Sequence, residues 1–281
     1  MQADSRRLAL RITLVAVAVV GAMAPAGAAH PLNAGSRPLA SNLLRVVVPR
    51  GQPVQIVLAN DPGFAAAGSV TNAVQMAVAK QPTVRGFPIR INIVNAPTCG
   101  NPPNAAALAR ATAYRITANL QNVGVLGQIC SAGFAGALPV YQNADVVVVS
   151  GSATNGALPA AARTVFDRTV VGDNALDAWY ALVSQLPSDL AWRQAYADEF
   201  GGPPGDYADL YYDAAGLLIS DLQKVSRVNA AGQLVVGRAA LARAVRTTAG
   251  YPGVSCSITL DPTTGNRRDE PDALGSCALA G

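Results

Sequence analysis

The apolar positions of this chain follow two alternating periodicities between residues 54 and 149. Three short apolar runs and one alternating segment are typical of strands, and the longer segments between them have the spacing of amphipathic helices. Strict strand–helix alternation with nearly continuous apolar strands predicts an α/β fold: a three-layer lobe with a parallel sheet covered on both faces. The predicted order is strand Val54–Ala59, helix Val70–Lys80, strand Phe87–Ala96, helix Ala105–Asn119, strand Val123–Ile129, helix Ala132–Asn143 and strand Val146–Val149.

The first 50 residues have a different pattern. Arg6, Arg7 and Arg11 precede the apolar stretch Ile12–Ala24, and small residues follow up to Ala28. This stretch is too short to span a bilayer, and the order of charged, apolar and small residues is that of a secretory signal peptide. We therefore expect a signal peptide over 1–28 and a linker over 29–50. The mature chain is expected to be secreted or periplasmic, without a membrane span and without a lipid anchor.

Composition fits a large folded core, with 281 residues, 51% hydrophobic and 14% charged. The net charge of +4 raises the question of an anionic partner. However, the basic residues are scattered, and even the denser pairs Arg163/Arg168 and Arg267/Arg268 form no basic helical face. We therefore expect dispersed surface charge and no nucleic-acid partner.

Histidine usage argues against catalysis. His30, beside the expected cleavage site, is the one histidine of the sequence, and Lys80 and Lys224 are its two lysines. Histidine-based triads and histidine metal sites are therefore excluded. No nucleophile-elbow, dinucleotide-binding, phosphate-loop or zinc-protease motif is present. We expect a protein that is not an enzyme and that has no cofactor and no metal site.

The four cysteines are Cys99, Cys130, Cys256 and Cys277. An even number in an exported protein favours two disulfides. No Cys-x-x-Cys spacing is present, which argues against zinc. The spacing leaves all three pairings open.

Three loops follow predicted strands and have the same small, polar character: Asn60–Asp61, Cys130–Ser131 and Ser150–Asn155. In open parallel sheets, ligands bind outside the carboxyl ends of the strands. Ser131 falls where a helix begins, so free N–H groups and the positive end of the helix dipole would lie beside its hydroxyl and suit a carboxylate. The alternative is that Ser131 and Thr154 are only helix caps.

The stretch VGVLGQICSAGFAGALPVYQNADVVVVSGSATNGAL resembles the leucine/isoleucine/valine-binding proteins, the type I periplasmic substrate-binding proteins of amino-acid ABC transporters. The resemblance lies in the Cys-Ser pair before a short helix with Pro-Val-Tyr, and in the Ser-Ala-Thr-Asn after the next strand. The segments IRINIVNAPTCGNP, WRQAYADEFGGPPGDYADLYYDAAGLLISDLQKV and VSCSITLDPTTGN are similar to further parts of the family, in the same order. Together they cover most of the mature chain.

The resemblance implies a flavodoxin-like strand order and a ligand site. It implies that Ser131 and Thr154 bind the α-carboxylate of an amino acid and that the main chain of Ser152 helps hold the ammonium group. Asp61 follows the first strand, and Asp173 is near the position of an ammonium-binding acid. Both are weaker candidates for ligand binding.

The resemblance also implies a disulfide between Cys99 and Cys130, which leaves Cys256 and Cys277 as the second pair. The family carries a second lobe after the position of Phe166. Here residues 167–190 are too few for one βαβ unit of about 30 residues. We therefore expect an α/β ligand-binding lobe over 51–166, a shortened crossover over 167–190, and C-terminal helices and a closing strand over 191–281 that pack on the same lobe.

Several aromatic residues are predicted to act in packing. Tyr211, Tyr212 and Asp213 lie in a helical pattern with leucines, which predicts core packing with one exposed carboxylate. Trp179 and Trp192 are expected to be packing anchors rather than pocket residues.

These features predict an exported solute-binding protein for a small amino-acid-like ligand that feeds an ABC importer and partners its permease. The alternative is an exported single-lobe interaction, sensing or scaffold module without a transport role. Measurable binding of amino acids in calorimetry favours the solute-binding protein, and no measurable binding favours the interaction or scaffold module.

Overall fold

The computed structural model describes residues 44–100, 102–155, 157–158, 165–170 and 183–268. Its strands are β1 (Arg45–Val48), β2 (Val54–Asn60), β3 (Thr83–Val84), β4 (Phe87–Asn95), β5 (Asn122–Leu126), β6 (Val147–Ser150), β7 (Phe166–Arg168), β8 (Arg227–Val228), β9 (Leu234–Gly237), β10 (Tyr251–Gly253) and β11 (Cys256–Ile258). Its helices are α1 (Ala67–Lys80), α2 (Ala105–Ala118), α3 (Ser131–Asn143), α4 (Pro187–Phe200), α5 (Ala208–Val225) and α6 (Arg238–Arg246).

The central sheet has the order β3-β4-β2-β5-β6-β7. All neighbours pair in parallel except β3, which pairs antiparallel with β4. The parallel strands therefore follow the flavodoxin-like order, and the predicted α/β fold class is confirmed.

The alternation of side chains along the strands builds the three layers. Ile56 and Leu58 of β2 enter a core on one face of the sheet with residues of α1 and α5. Val57, between them, enters a second core on the opposite face with residues of α2 and α3. Because successive strand residues point to opposite faces, strands that are apolar at every position need helices on both sides.

The C-terminal half adds helices to the same lobe. Helix α5 is buried over most of its length and packs against α1, β5 and β6. A small antiparallel sheet, β1-β9-β8, and the hairpin of β10 and β11 complete the described part of the chain.

The element boundaries expected from sequence need two corrections. The linker expected over 29–50 contains β1, because Val46 and Val48 are buried and β1 pairs with β9 from the far end of the chain. The crossover expected over 167–190 begins inside the sheet, since Asp167 and Arg168 belong to β7. A strand of three or four residues with a distant partner has too short a pattern to be recognised locally.

The expectation of dispersed surface charge is wrong for four arginines of the described ranges, which are buried. They donate to backbone carbonyl oxygens, as Arg238 does to the carbonyls of Leu120 and Asn122. A guanidinium has five donors in a fixed fork, which suits it to satisfying carbonyl groups inside a fold. The four are Arg168, Arg238, Arg246 and Arg267.

The carboxylate of Asp213 is buried, not exposed as expected. It accepts hydrogen bonds from the N–H groups of Val254 (2.8 Å) and Ser255 (2.9 Å) and from the Ser255 hydroxyl. Burial raises the pKa of Asp213. It therefore fastens α5 to the loop between β10 and β11.

Trp192 is a packing residue, as predicted, with its ring 5.5 Å from the rings of Tyr196 and Tyr212. Trp179, like the expected signal peptide over 1–28 and His30, lies outside the described residues. Within the described ranges, no helix has the length and apolar character needed to cross a membrane.

Candidate functional site

The loops at the carboxyl ends of β2, β5 and β6, together with the loop after β4, surround one open cleft of about 350 Å³. This is the edge at which open parallel sheets bind ligands. Ser131, Ser152 and Thr154, which the resemblance marks as ligand residues, all line this cleft. The remaining lining residues are Phe64, Thr98, Gly100, Ile129, Cys130, Ala132 and Tyr207.

Helix α3 begins at this cleft. Its N-cap is Cys130, in extended conformation, and no side chain among the described residues caps the helix. Ser131 is the first helical residue, and its hydroxyl accepts a hydrogen bond from the Asn155 N–H at 3.4 Å. The interpretation of Ser131 as a helix cap is therefore wrong. The first N–H groups of a helix lack intrahelical partners and carry partial positive charge, so this end of α3 can receive an anion.

Thr154 presents unused donors to the same cleft. Among the described residues, neither its hydroxyl nor its N–H has a hydrogen-bond partner. The neighbouring turn is closed instead by Asn155, whose side-chain oxygen accepts the Ala157 N–H at 2.9 Å. Thr154 therefore does not cap this turn.

The Ser152 side chain has an internal role. Its hydroxyl donates to the Ile129 carbonyl at 2.6 Å and lies 3.0 Å from the Tyr211 hydroxyl. Burial raises the pKa of Tyr211 to about 12, so its phenol stays neutral. Tyr211 was expected only to pack in the core, but it also ties α5 to the loop that carries Ser152. The Ser152 N–H donates to the Ser150 hydroxyl at 3.3 Å. The Ser152 carbonyl oxygen has no hydrogen-bond partner among the described residues, and it is this atom that the ammonium role implied by the resemblance would use.

Arg168 lies beneath the loop of Thr154 and is 3% exposed. Its Nη1 donates to three successive carbonyl oxygens, those of Ala153 (3.1 Å), Thr154 (2.8 Å) and Asn155 (3.4 Å). Because the C=O and N–H of a peptide unit point in opposite directions, three carbonyls turned towards Arg168 turn the following N–H groups away from it. The Asn155 N–H does point to Ser131. Arg168 therefore holds the loop with its donors towards the cleft.

Arg168 was missed as a site residue because its partners are backbone atoms. The sequence shows one arginine near the end of a short apolar segment, TVFDR, which gives no local sign of burial. Arg168 is recognised as a site residue only once β7 is paired with β6, because this pairing places Arg168 opposite Ser150.

Asp61 is buried and does not line the cleft. One carboxylate oxygen accepts the Gly63 N–H at 2.8 Å, and the other accepts the N–H groups of Thr98 (2.5 Å) and Cys99 (2.6 Å). Asp61 thus organises the loop after β4. Asp173, the other candidate acid, lies outside the described residues.

The disulfide between Cys99 and Cys130 is present, with a Cα–Cα distance of 5.2 Å, which confirms the pairing implied by the resemblance. It joins the loop after β4 to the start of α3, at the wall of the cleft. Cys277, the expected partner of Cys256, lies outside the described residues.

Among the residues that the structure describes, those that line the cleft include no carboxylate, lysine or arginine. A ligand charge there meets hydroxyls, backbone N–H groups and the end of a helix. Oriented N–H groups and hydroxyls without a counter-charge are a common way to bind a carboxylate.

The sheet order and the position of the cleft define the fold of the type I periplasmic substrate-binding proteins. Solved structures of this class match about three quarters of the chain. LivJ of Streptococcus pneumoniae, a branched-chain amino acid transporter substrate-binding protein in complex with isoleucine, has 12% identity and a TM-score of 0.62, over 77% of this chain and 94% of its own. A Desulfitobacterium hafniense ABC transporter substrate-binding protein in complex with leucine has 16% identity and a TM-score of 0.61, over 77% and 95%.

A third match is the solute-binding protein of an ABC transporter from Rhodopseudomonas palustris BisB5, in complex with 3,4-dihydroxybenzoic acid. It has 12% identity and a TM-score of 0.61, over 76% of this chain and 90% of its own. No protein-family model and no curated protein matches the chain. The chain is shorter than these structural neighbours.

Proposed function

We propose that this protein is an exported solute-binding protein that binds a small amino-acid-like ligand through its carboxylate and delivers it to the permease of an ABC importer. The observation that carries the proposal is the pair of unused donors on Thr154 beside the uncapped start of α3. Arg168 fixes the backbone of the same loop. Together they form an anion cradle at the ligand-binding edge of the sheet.

The neighbours support the chemical class. The ligands in their structures are isoleucine, leucine and 3,4-dihydroxybenzoic acid, and each has a carboxylate. The neighbours are solute-binding proteins and not enzymes, which agrees with the expectation of a non-enzyme. The pattern of residues 1–28 supports export.

The open cleft bears on affinity. Two-lobed binding proteins close around a ligand and exclude water from it. A ligand held mainly by one lobe has fewer hydrogen bonds and a higher local dielectric, so its charge interactions are weaker. We therefore expect weaker binding than in a two-lobed protein that closes fully around its ligand.

Titration calorimetry of the full exported chain against the proteinogenic amino acids and benzoic acids tests the proposed function. No measurable binding to any compound of the panel would favour the interaction or scaffold alternative.

Replacing Thr154 with valine keeps the shape and removes the hydroxyl. A hydrogen bond to a charged group contributes about 1.5–3 kcal/mol, so we expect about a tenfold to a hundredfold loss of affinity. Ser131→Ala is expected to have a similar effect, and the two losses need not add because both side chains meet one carboxylate. Calorimetry and thermal unfolding on the same samples measure both quantities.

Thr83→Val is the matched control, since Thr83 is an exposed strand residue outside the cleft. We expect its affinity to equal that of the wild type. The proposal is contradicted if Thr154→Val lowers the melting temperature and leaves the affinity of the folded protein unchanged.

A further inference from the structure

Thr98 has a hydroxyl that the fold itself does not use. The residue is fully buried, and its Oγ1 has no hydrogen-bond partner in the described part of the chain. The same residue lines the cleft beside Ser131 and Thr154. Buried polar side-chain atoms nearly always have a partner, and leaving a hydroxyl unpaired costs free energy. Since the residue lines the cleft, a bound molecule can supply that partner.

The surroundings of Thr98 hold it in a fixed position. Its N–H donates to the carboxylate of Asp61 at 2.5 Å, and Cys99, the next residue, is joined to Cys130 by the disulfide. Its side chain packs on the first turn of α3, where a Cβ added to Gly133 would lie 2.5 Å from Thr98 Cγ2. Glycine at 133 therefore allows Thr98 to lie directly against the uncapped helix start. These neighbours fix the position and the burial of Thr98, and none of them forms a hydrogen bond with its hydroxyl.

We infer that Thr98 is a ligand-binding residue whose hydroxyl donates to the carboxylate of the bound solute. With Ser131 and Thr154 it forms a three-hydroxyl cradle around the start of α3. This inference rests on the proposed function and adds a specificity to it. An ionised carboxylate accepts at about four lone-pair positions and donates nothing. A carboxamide carries no charge, and its NH₂ group would face the N–H groups at the start of α3, which cannot accept a hydrogen bond, so the cradle selects acids over amides.

The substitution that tests this is Thr98→Val in the full exported chain, with Thr98→Ala as a second hydroxyl-free variant and Thr98→Ser as the variant that keeps the hydroxyl. The probes are L-leucine, 3,4-dihydroxybenzoate and L-leucinamide, titrated by calorimetry, with thermal unfolding on the same samples. We expect Thr98→Val and Thr98→Ala to lose about tenfold to a hundredfold in affinity for the acids. Thr98→Ser is expected to keep most of it, and Thr98→Val to melt no lower than the wild type.

The ratio of the affinities for L-leucine and L-leucinamide would not change if Thr98 had only a structural role. If the hydroxyl serves the carboxylate, Thr98→Val reduces the preference for L-leucine over L-leucinamide, and Thr83→Val leaves the preference unchanged. If Thr154→Val weakens acid binding and neither hydroxyl-free variant at 98 does, the inference is wrong and the proposed function stands. If the wild-type protein binds neither acid, both are overturned.

Discussion

Replacing Arg168 with methionine is expected to lower the free energy of unfolding by about 3 kcal/mol or more and to weaken ligand binding at least tenfold per folded molecule. Methionine fills much of the same buried volume but donates no hydrogen bond. Three carbonyl oxygens, those of residues 153, 154 and 155, then lose their donor. Each hydrogen bond to a charged group contributes about 1.5–3 kcal/mol, and the three share one nitrogen and are not additive.

The loss of affinity follows from the direction of the loop. With its carbonyls released, the loop is free to rotate its peptide units, and the donors of Thr154 no longer face the cleft. Arg168→Lys keeps a charge but has no planar fork, so we expect it to lie between the wild type and methionine in both quantities.

Arg90→Met serves as the control, because Arg90 is exposed on β4. Urea unfolding gives the stability of each variant, and calorimetry with L-leucine gives the affinity. Reduced stability of Arg168→Met with full affinity in the folded fraction would show that Arg168 supports the sheet and not the cleft.

The second large effect is a pH dependence that Asp209 gives to stability. Asp209 is buried in the first turn of α5, near Asp189 and Asp213, with Arg193 at 3.5 Å. Desolvation raises the pKa of Asp209 to about 7, helped by the charge of Asp189, while Arg193 acts in the opposite direction. Burial also raises the pKa of Asp189, although Arg193 pairs with it at 2.5 Å.

A carboxyl group with a raised pKa in the folded state binds its proton more tightly there than in the unfolded chain. Its contribution to stability is therefore complete below about pH 4 and is lost as the pH rises towards 7. We expect Asp209→Asn to be close to the wild type in stability at pH 4 and more stable than it at pH 8. A shift of about three pKa units corresponds to at most about 4 kcal/mol.

Urea unfolding from pH 4 to pH 8 measures this difference. Asp206→Asn is the control, because Asp206 is exposed just before α5 and its substitution is expected to leave the pH profile unchanged. If the difference in stability between Asp209→Asn and the wild type is the same at pH 4 and at pH 8, the raised pKa is contradicted.

The core of the fold could be predicted because its signals are local. Strands β2, β5 and β6 are apolar at nearly every position, and the helices between them have clear periodicity, so each element is recognisable without its partners. The clustering of Ser131, Ser152 and Thr154 also follows from sequence, since loops after parallel strands must meet at one edge of the sheet. The pairing of Cys99 with Cys130 needed the resemblance, because spacing alone left three pairings open.

The sequence by itself determined the α/β class, the edge of the sheet that carries the cleft and three of the hydroxyl residues that line it, Ser131, Ser152 and Thr154. Only the tertiary structure decided how that cleft is held and which donors are free. Arg168 supports three carbonyls, Asp61 holds the loop of Thr98, and Tyr211 reaches Ser152 from α5. These contacts join residues far apart in the chain, many of them through backbone atoms. A backbone carbonyl looks the same in every residue type, so sequence periodicity cannot reveal which carbonyls need a buried donor.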